Sequence, residues 1–162
     1  MTTRLTTYGP WAVVTGASDG IGREFARALA KEGFKLVLVA RRRQALESLA
    51  KELRSTEVRV VDVDLATGEG LARVEAETRD LDVGLLVASA GFGTSGAFLD
   101  NAREAELSMI DVNCRAVAAL THAFGHRLVK RGRGGLVLLS SLVAFQGVRH
   151  AANYAATKAW VQ

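Results

Sequence analysis

Short apolar runs alternate with longer polar and apolar stretches along most of the chain. Each run is rich in Val and Leu and is bounded by glycine or polar residues, which is typical of strands covered on both faces of a sheet. The runs are Trp11 to Val14, Lys35 to Ala40, Glu57 to Val63, Val83 to Ala88 and Gly135 to Leu139. We predict a β-strand at each of them.

The stretches between these runs carry apolar residues at helical spacing. The sets are Ile21, Phe25, Ala28 and Leu29; then Leu46, Leu49, Ala50 and Leu53; then Ile110, Cys114, Val117, Phe124 and Leu128. The last set predicts a long helix from about Asn101 to Lys130, and Gly33 stands where a glycine commonly ends a helix. Alternating strands and helices predict an α/β fold, a doubly wound parallel sheet of the Rossmann type, with residues 1–162 forming one dinucleotide-binding domain.

Composition narrows the class of protein without deciding its chemistry. The 162 residues are 49% apolar and 23% charged, as in a globular domain, and the net charge of +4 comes from basic residues scattered along the chain. We therefore expect no nucleic-acid partner. No apolar stretch approaches the roughly 18 residues of a membrane span. The first residues do not resemble a secretory signal, and a single cysteine excludes an intrachain disulfide, so we expect a cytoplasmic protein.

A glycine-rich turn links the first strand to the first helix: Thr15-Gly16-Ala17-Ser18-Asp19-Gly20-Ile21-Gly22. A pyrophosphate has to approach the backbone closely, so glycines are needed where side chains would obstruct it. The following helix offers free N–H groups and a favourable dipole to the phosphates. We predict that Gly16, Ser18, Asp19, Gly20, Ile21 and Gly22 bind a dinucleotide.

The residues that follow the second strand bear on which dinucleotide binds. Proteins that prefer NAD usually carry an acidic residue there, for the ribose 2′-hydroxyl. This chain instead has Ala40 followed by three arginines, Arg41 to Arg43. A guanidinium suits a 2′-phosphate, although a basic first turn of a surface helix would give the same residues. We predict that Arg41 and Arg42 bind NADP, with NAD the less favoured cofactor.

Hydroxyl and amine side chains gather near the end of the chain. Ser141 closes an apolar strand at the edge where open α/β sheets bind ligands. Tyr154 and Lys158 are four residues apart, so on a helix they share a face. A phenol is a weak acid with an ordinary pKa of about 10, and a nearby ammonium stabilises its phenolate. Each residue also has an ordinary explanation, since Ser141 could cap a helix and the other two could be plain helix residues.

Together these features resemble the short-chain dehydrogenase/reductase family along almost the whole chain. The matching residues are Thr15-Gly16-x-x-x-Gly20-Ile21-Gly22, Asp64, Asn113, Ser141 and Tyr154-x-x-x-Lys158. The resemblance implies that Tyr154 is the general acid/base, that Lys158 stabilises its phenolate and binds the nicotinamide ribose, and that Ser141 orients the substrate carbonyl. It also implies that Asn113 holds a water in the proton relay from Lys158.

The resemblance further implies contacts to the rest of the cofactor. Asp64, with Leu65, would bind the adenine, although Asp62 lies close enough to leave that alignment open by two residues, and Asp64 could simply cap the next helix. Where the family often has Asn-Asn-Ala-Gly, this chain has Ala88 to Gly91 as Ala-Ser-Ala-Gly. We therefore expect the ribose contact there to come from the backbone of Ala90 and Gly91.

The function that the resemblance implies is hydride transfer between NADP(H) and a carbonyl or alcohol group. Largely apolar segments follow the fourth strand and Ser141. We expect an apolar small molecule or an acyl substrate, no metal site, and a homo-oligomer in the complete protein. The alternative is a catalytically inactive dinucleotide-binding sensor or scaffold on the same fold. Family members continue well beyond the Tyr-x-x-x-Lys motif, so we also expect C-terminal strands that this chain lacks.

Overall fold

A five-stranded, wholly parallel sheet forms the centre of the computed structural model, which describes residues 3–162. The strands are β1 Trp11–Thr15, β2 Lys35–Ala40, β3 Val58–Asp62, β4 Val83–Ala88 and β5 Gly135–Leu138. They lie in the order β3-β2-β1-β4-β5. The order changes direction between β1 and β4, which confirms the doubly wound α/β fold.

Helices connect the strands on both faces of this sheet. They are α1 Thr3–Tyr8, α2 Gly20–Lys31, α3 Arg43–Glu52, α4 Gly68–Glu77, α5 Arg103–Ile110, α6 Ala116–Arg131 and α7 Ala152–Val161. Single 3₁₀ turns occur at Phe98–Asp100 and Leu142–Ala144. Within residues 3–162, no helix combines the length and apolarity that crossing a membrane requires.

The core has one apolar layer on each face of the sheet. On one face, side chains of β1, β2 and β4 pack with Leu71 of α4 and Phe124 of α6. On the other face, strand residues pack with Ala26 of α2 and with Leu46 and Leu49 of α3. The strands are buried on both faces, and this explains why they read in the sequence as continuous Val and Leu runs.

Of the apolar set predicted for α2, only Phe25 and Leu29 pack against the core. Ile21 is 62% exposed and Ala28 is exposed, whereas Gly22, Ala26 and Ala30 are buried. A Cβ on Gly22 would lie only 2.5 Å from the main-chain oxygen of Gly16. The helix thus lies against the glycine turn with its small residues inward, which leaves Ile21 beside the cofactor cleft.

The predicted long helix is present but contains a change of geometry. A π-helical turn, Asp111–Arg115, joins α5 to α6, and the Ala116 amide donates to the main-chain oxygen of Asp111. Such turns are rare and often occur at functional sites. Here the turn contains Asn113, whose side chain is fully buried.

Candidate active site

A cleft of about 530 Å³ opens at the carboxyl ends of the central strands. It brings together the glycine turn, the segments after β2 to β5, and helix α7. Its lining includes Gly16, Ser18, Asp19, Gly20, Ile21, Gly22, Arg41, Arg42, Asp64, Leu65, Ala90, Gly91, Tyr154 and Lys158. All of the residues predicted to bind the dinucleotide therefore surround one cavity, at the position where doubly wound sheets bind ligands.

The glycine turn needs its glycines for two separate reasons. Gly16 and Gly20 have φ angles of 69° and 52°, in the left-handed region that side chains disfavour. A Cβ on Gly16 would also lie 2.9 Å from the backbone of Ala90, whereas one on Gly20 would meet no atom within 4 Å. The turn is thus packed against the sheet on one side and open towards the cleft on the other.

Asp19 and Arg42 fix the open side of this turn. Asp19 caps α2 by accepting a hydrogen bond from the Gly20 amide at 2.8 Å. The Arg42 guanidinium donates to the Asp19 carboxylate at 3.2 Å and to the Ser18 hydroxyl at 3.3 Å. The Gly20 amide, and then Arg42, hold the pKa of the Asp19 carboxyl below its usual value.

The three arginines after β2 have different surroundings. Arg41 lines the cleft, and its guanidinium has no hydrogen bond or ion pair with residues 3–162. Arg42 is paired with Asp19 across the turn. Arg43 pairs instead with Glu47 at 2.7 Å and with Asp62 at 3.3 Å. Arg43 is therefore the basic first residue of a surface helix, whereas Arg41 has an unpaired charge at the cleft.

The two aspartates near the end of β3 are also separated by the structure. Asp64 lines the cleft, where one of its carboxylate oxygens accepts from the Ala66 amide at 2.9 Å. Asp62 is bound to Arg43 and Arg73. The geometry thus favours Asp64 as the cleft residue, while its other oxygen remains available to a ligand.

Thr15, at the end of β1, has a role that the sequence alone did not indicate. Its hydroxyl is buried and accepts hydrogen bonds from the amides of Ser89 at 3.1 Å and Ala90 at 3.0 Å. This contact fastens the segment after β4 to the glycine turn. Because the Ala90 amide is already used, a ribose contact at Ala90 would fall to its carbonyl oxygen.

Tyr154 and Lys158 lie together at the inner end of the cleft. Lys158 is buried, at 6% exposure, and its ammonium lies 5.9 Å from the centre of the Tyr154 ring. The ammonium donates to the main-chain oxygen of Leu139 at 2.8 Å. Burial lowers the pKa of Lys158. Within residues 3–162 the Tyr154 hydroxyl has no hydrogen-bond partner, so it is free to meet a ligand oxygen.

Asn113 joins the π-helical turn to this pair. Its side-chain amide donates to the Phe92 carbonyl at 2.9 Å and to the Thr157 hydroxyl at 3.0 Å, while its oxygen accepts from the Phe92 amide at 3.1 Å. The side chain is therefore largely occupied in holding the loop after β4 against α7. A water bound at Asn113, as the family resemblance implies, would rest mainly on the main-chain carbonyl.

The two serines after β5 have different surroundings. Among the described residues, those lining the cleft include Ser140 but not Ser141. The Ser141 hydroxyl accepts from the Val143 amide at 3.4 Å and so caps a 3₁₀ turn. The Ser140 hydroxyl donates to the main-chain oxygen of Lys158 at 2.8 Å and anchors α7. Sequence reasoning missed Ser140 because its partner is a distant backbone oxygen.

No group of three or more potential metal ligands occurs among residues 3–162. His122 and His126 are neighbours on α6, with their Nε2 atoms 3.2 Å apart, but both side chains are exposed and lie outside the cleft lining.

Comparison with known proteins supports the assignment that this fold and cleft suggest. A family model described as short chain dehydrogenase matches residues 10–162. A very-long-chain 3-oxoacyl-CoA reductase of Podospora anserina is 36% identical over 162 residues, covering 95% of this chain and 48% of that protein. A 7beta-hydroxysteroid dehydrogenase of Clostridium sardiniense is 35% identical over 159 residues, covering 95% of this chain and 60% of that protein.

A solved structure agrees with these sequence matches. A short-chain dehydrogenase from Sphingobium yanoikuyae in complex with NADPH superposes with a TM-score of 0.90 at 36% identity, covering 94% of this chain and 62% of that one. The fold and cleft define a dinucleotide-binding α/β protein. Within that class, the chain belongs to the short-chain dehydrogenase family. It spans about half the length of the first of these curated relatives.

Proposed function

We propose that this chain is the cofactor-binding and catalytic part of an NADP(H)-dependent oxidoreductase that interconverts a carbonyl and an alcohol. One observation carries the proposal: the glycine turn, the unpaired Arg41 guanidinium, Tyr154 and Lys158 all line the same cleft. A protein that only bound a dinucleotide would need the first two features but not the buried lysine beside the tyrosine.

The residues present fit a phosphorylated dinucleotide. Gly20 presents an open backbone at the N-terminus of α2, which suits the pyrophosphate. Arg41, with the Ser18 hydroxyl, would hold the 2′-phosphate, and Asp64 with Leu65 would flank the adenine. The solved short-chain dehydrogenase with NADPH supports this choice of cofactor. Bound there, the nicotinamide would supply or accept the hydride.

Proton transfer would fall to this chain's own residues. The free Tyr154 hydroxyl is placed to donate a proton to a substrate oxygen or to accept one from it. The Lys158 ammonium, 5.9 Å from the ring centre, stabilises negative charge that develops on the phenol oxygen. Asn113 would keep the loop after β4 and helix α7 in register beside that pair.

Ser141 would orient the substrate oxygen, as the family resemblance implies. Its hydroxyl accepts from the Val143 amide at 3.4 Å, and because this bond uses only a lone pair, the hydroxyl proton is free to donate. To donate there, the Ser141 side chain would have to turn into the cleft, whose lining already includes its neighbour Ser140. A donor in this position would stabilise charge developing on the oxygen.

The proposed substrate is apolar around its reacting group. Large apolar side chains stand exposed on the two loops that follow β4 and β5: Phe98, Leu99, Leu142, Phe145 and Val148. Contiguous exposed apolar surface commonly marks a ligand- or partner-binding site. The names of the relatives agree, since one is a very-long-chain acyl reductase and the other a hydroxysteroid dehydrogenase.

The direct test measures the melting temperature of the full-length protein with NADPH and with NADH, followed by turnover on a panel of apolar ketones and acyl carbonyls. A ligand at a hundred times its Kd stabilises a protein by about 2.7 kcal/mol. We expect NADPH to raise the melting temperature more than NADH does, and at least one apolar carbonyl to be reduced. Stabilisation without any turnover would favour the inactive sensor instead.

A further inference from the structure

A buried carboxylate lies beside the proposed active site without any cationic partner. Glu106, in α5, is only 5% exposed, and no lysine or arginine of residues 3–162 forms an ion pair with it. One carboxylate oxygen accepts from the Thr94 hydroxyl at 2.6 Å and the Asn101 amide at 2.8 Å. The other accepts from the Asn153 amide at 2.6 Å. Burying a charge that is satisfied only by neutral donors costs free energy, so its presence here calls for an explanation.

The three donors come from the two segments that enclose Tyr154. Thr94 follows Gly93, and a Cβ on Gly93 would lie 3.0 Å from the Tyr154 ring, so this loop lies directly against the ring. Asn153 immediately precedes Tyr154, and its amide donates to both the carboxylate and the main-chain oxygen of Glu106. Glu106 therefore connects the loop on one side of the ring to the helix that carries the ring.

A second contact confirms that these segments form one unit. The Gly96 amide donates to the main-chain oxygen of His150 at 3.0 Å, just before α7. A small cavity of about 90 Å³ lies among Thr94, Gly96, Glu106, His150 and Asn153. Hydrogen bonds from Thr94, and then from Asn153, lower the pKa of the Glu106 carboxyl, so it is ionised at neutral pH.

We infer that Glu106 is a positioning residue for Tyr154: its buried carboxylate holds the loop at Thr94 and the start of α7 at Asn153 in the arrangement that presents the tyrosine hydroxyl to substrate. This inference rests on the proposed function. It goes beyond that function by assigning a role to a residue that touches neither substrate nor cofactor. A displacement of about 1 Å at a reacting group can cost on the order of 100-fold in rate, so such a clamp matters for turnover.

The substitution Glu106→Gln tests the clamp because it keeps the shape and removes one acceptor. Whichever way the glutamine side chain is turned, its NH₂ group faces the side-chain NH₂ of Asn101 or of Asn153, so one of these two hydrogen bonds is lost. Adding Asn101→Asp reverses the polarity of one pair, so the glutamine amide can donate to residue 101 while its oxygen still accepts from Asn153. Glu104→Gln is the matched control, since Glu104 is exposed on the same helix and, among residues 3–162, forms an ion pair only with Arg103.

We expect Glu106→Gln to lower kcat by about 10- to 100-fold with NADPH affinity within threefold of the unsubstituted protein. The double variant should recover most of the loss, and Glu104→Gln should change neither quantity. A Glu106→Gln protein with kcat within threefold of the original would overturn the inference. A parallel loss of kcat and NADPH affinity, not repaired in the double variant, would also overturn it by showing a general loss of structure.

Hydrogen exchange separates this inference from the proposed function. In Glu106→Gln, residues 92–101 and 150–157 should exchange faster while the strands stay protected, and the double variant should reverse the change. This result is expected whether or not any carbonyl is reduced, so absent turnover in the unsubstituted protein counts against the proposed function alone. Unchanged exchange in both segments would refute the clamp itself.

Discussion

Replacing Arg41 with alanine should remove most of the preference for NADPH over NADH. Arg41 lines the cleft and has no partner among residues 3–162, so its charge is available to a 2′-phosphate. Its neighbour Arg42 is already bound to Asp19 and Ser18. The two arginines are adjacent in sequence, yet the structure predicts unequal contributions to cofactor choice.

The size of the effect follows from the kind of contact that is lost. A hydrogen bond to a charged group contributes about 1.5–3 kcal/mol. This corresponds to roughly 10- to 150-fold in Kd for NADPH, with little change for NADH, which lacks the 2′-phosphate. For Arg42→Ala we expect a smaller loss of NADPH affinity, below about tenfold, because Arg42 is already paired with Asp19.

Kd values for both cofactors should be measured at one fixed ionic strength, since salt screens charge contacts at an exposed site. Arg43→Ala is the matched control, because Arg43 pairs with Glu47 and Asp62 outside the cleft lining. It should leave the ratio of the two Kd values unchanged. The reasoning fails if Arg41→Ala keeps the original ratio, or if Arg43→Ala changes it as much.

Two further predictions concern the packing around two glycines and the charge of a carboxylate. Gly22→Ala should lower stability by about 1–3 kcal/mol and weaken NADPH binding, because the new Cβ would lie 2.5 Å from a main-chain oxygen. At Gly125 a new Cβ would meet no atom within 4 Å, so Gly125→Ala should instead stabilise the protein by up to about 1 kcal/mol. Thermal unfolding measures both changes, and equal effects at the two glycines would contradict this explanation. The hydrogen bond from Thr94, followed by that from Asn153, lowers the pKa of the Glu106 carboxyl in the folded protein below its ordinary value of 4.5. The stability that this carboxylate contributes is therefore fully present above pH 4.5 and is lost as the pH falls through the lower pKa of the folded state. The melting temperature of Glu106→Gln should therefore fall less steeply below that pH than that of the unsubstituted protein, and parallel curves would refute the assignment.

The sequence allowed the sheet to be predicted nearly to the residue. Strands buried on both faces appear as unbroken Val and Leu runs, as at Lys35–Ala40 and Val83–Ala88, and glycines mark where the chain turns. The apolar pattern of α2 was only partly informative, because Phe25 and Leu29 pack against the core whereas Ile21 and Ala28 are exposed. A Cβ on Gly22 would lie 2.5 Å from the main-chain oxygen of Gly16, so the first turn of α2 packs inward through Gly22 and leaves Ile21 outside.

The parts of the site that could not be predicted depend on contacts between distant segments. The π-helical turn at Asn113 is joined to the Phe92 backbone and to Thr157 by hydrogen bonds. Glu106 looks like an ordinary surface glutamate until Asn153 is brought beside it. No local pattern encodes these pairings, because each partner lies on another element and is positioned only by the folded sheet.

Tyr154 is the residue that we propose to transfer the proton in an NADPH-dependent carbonyl reduction. The most direct measurement is NADPH consumption by the full-length protein and by Tyr154→Phe, on the best apolar ketone found, with NADPH affinity measured in parallel. We predict a loss of turnover of at least about 100-fold, as expected for removing a general acid, with NADPH affinity nearly unchanged. A Tyr154→Phe protein that kept most of its turnover would contradict the account.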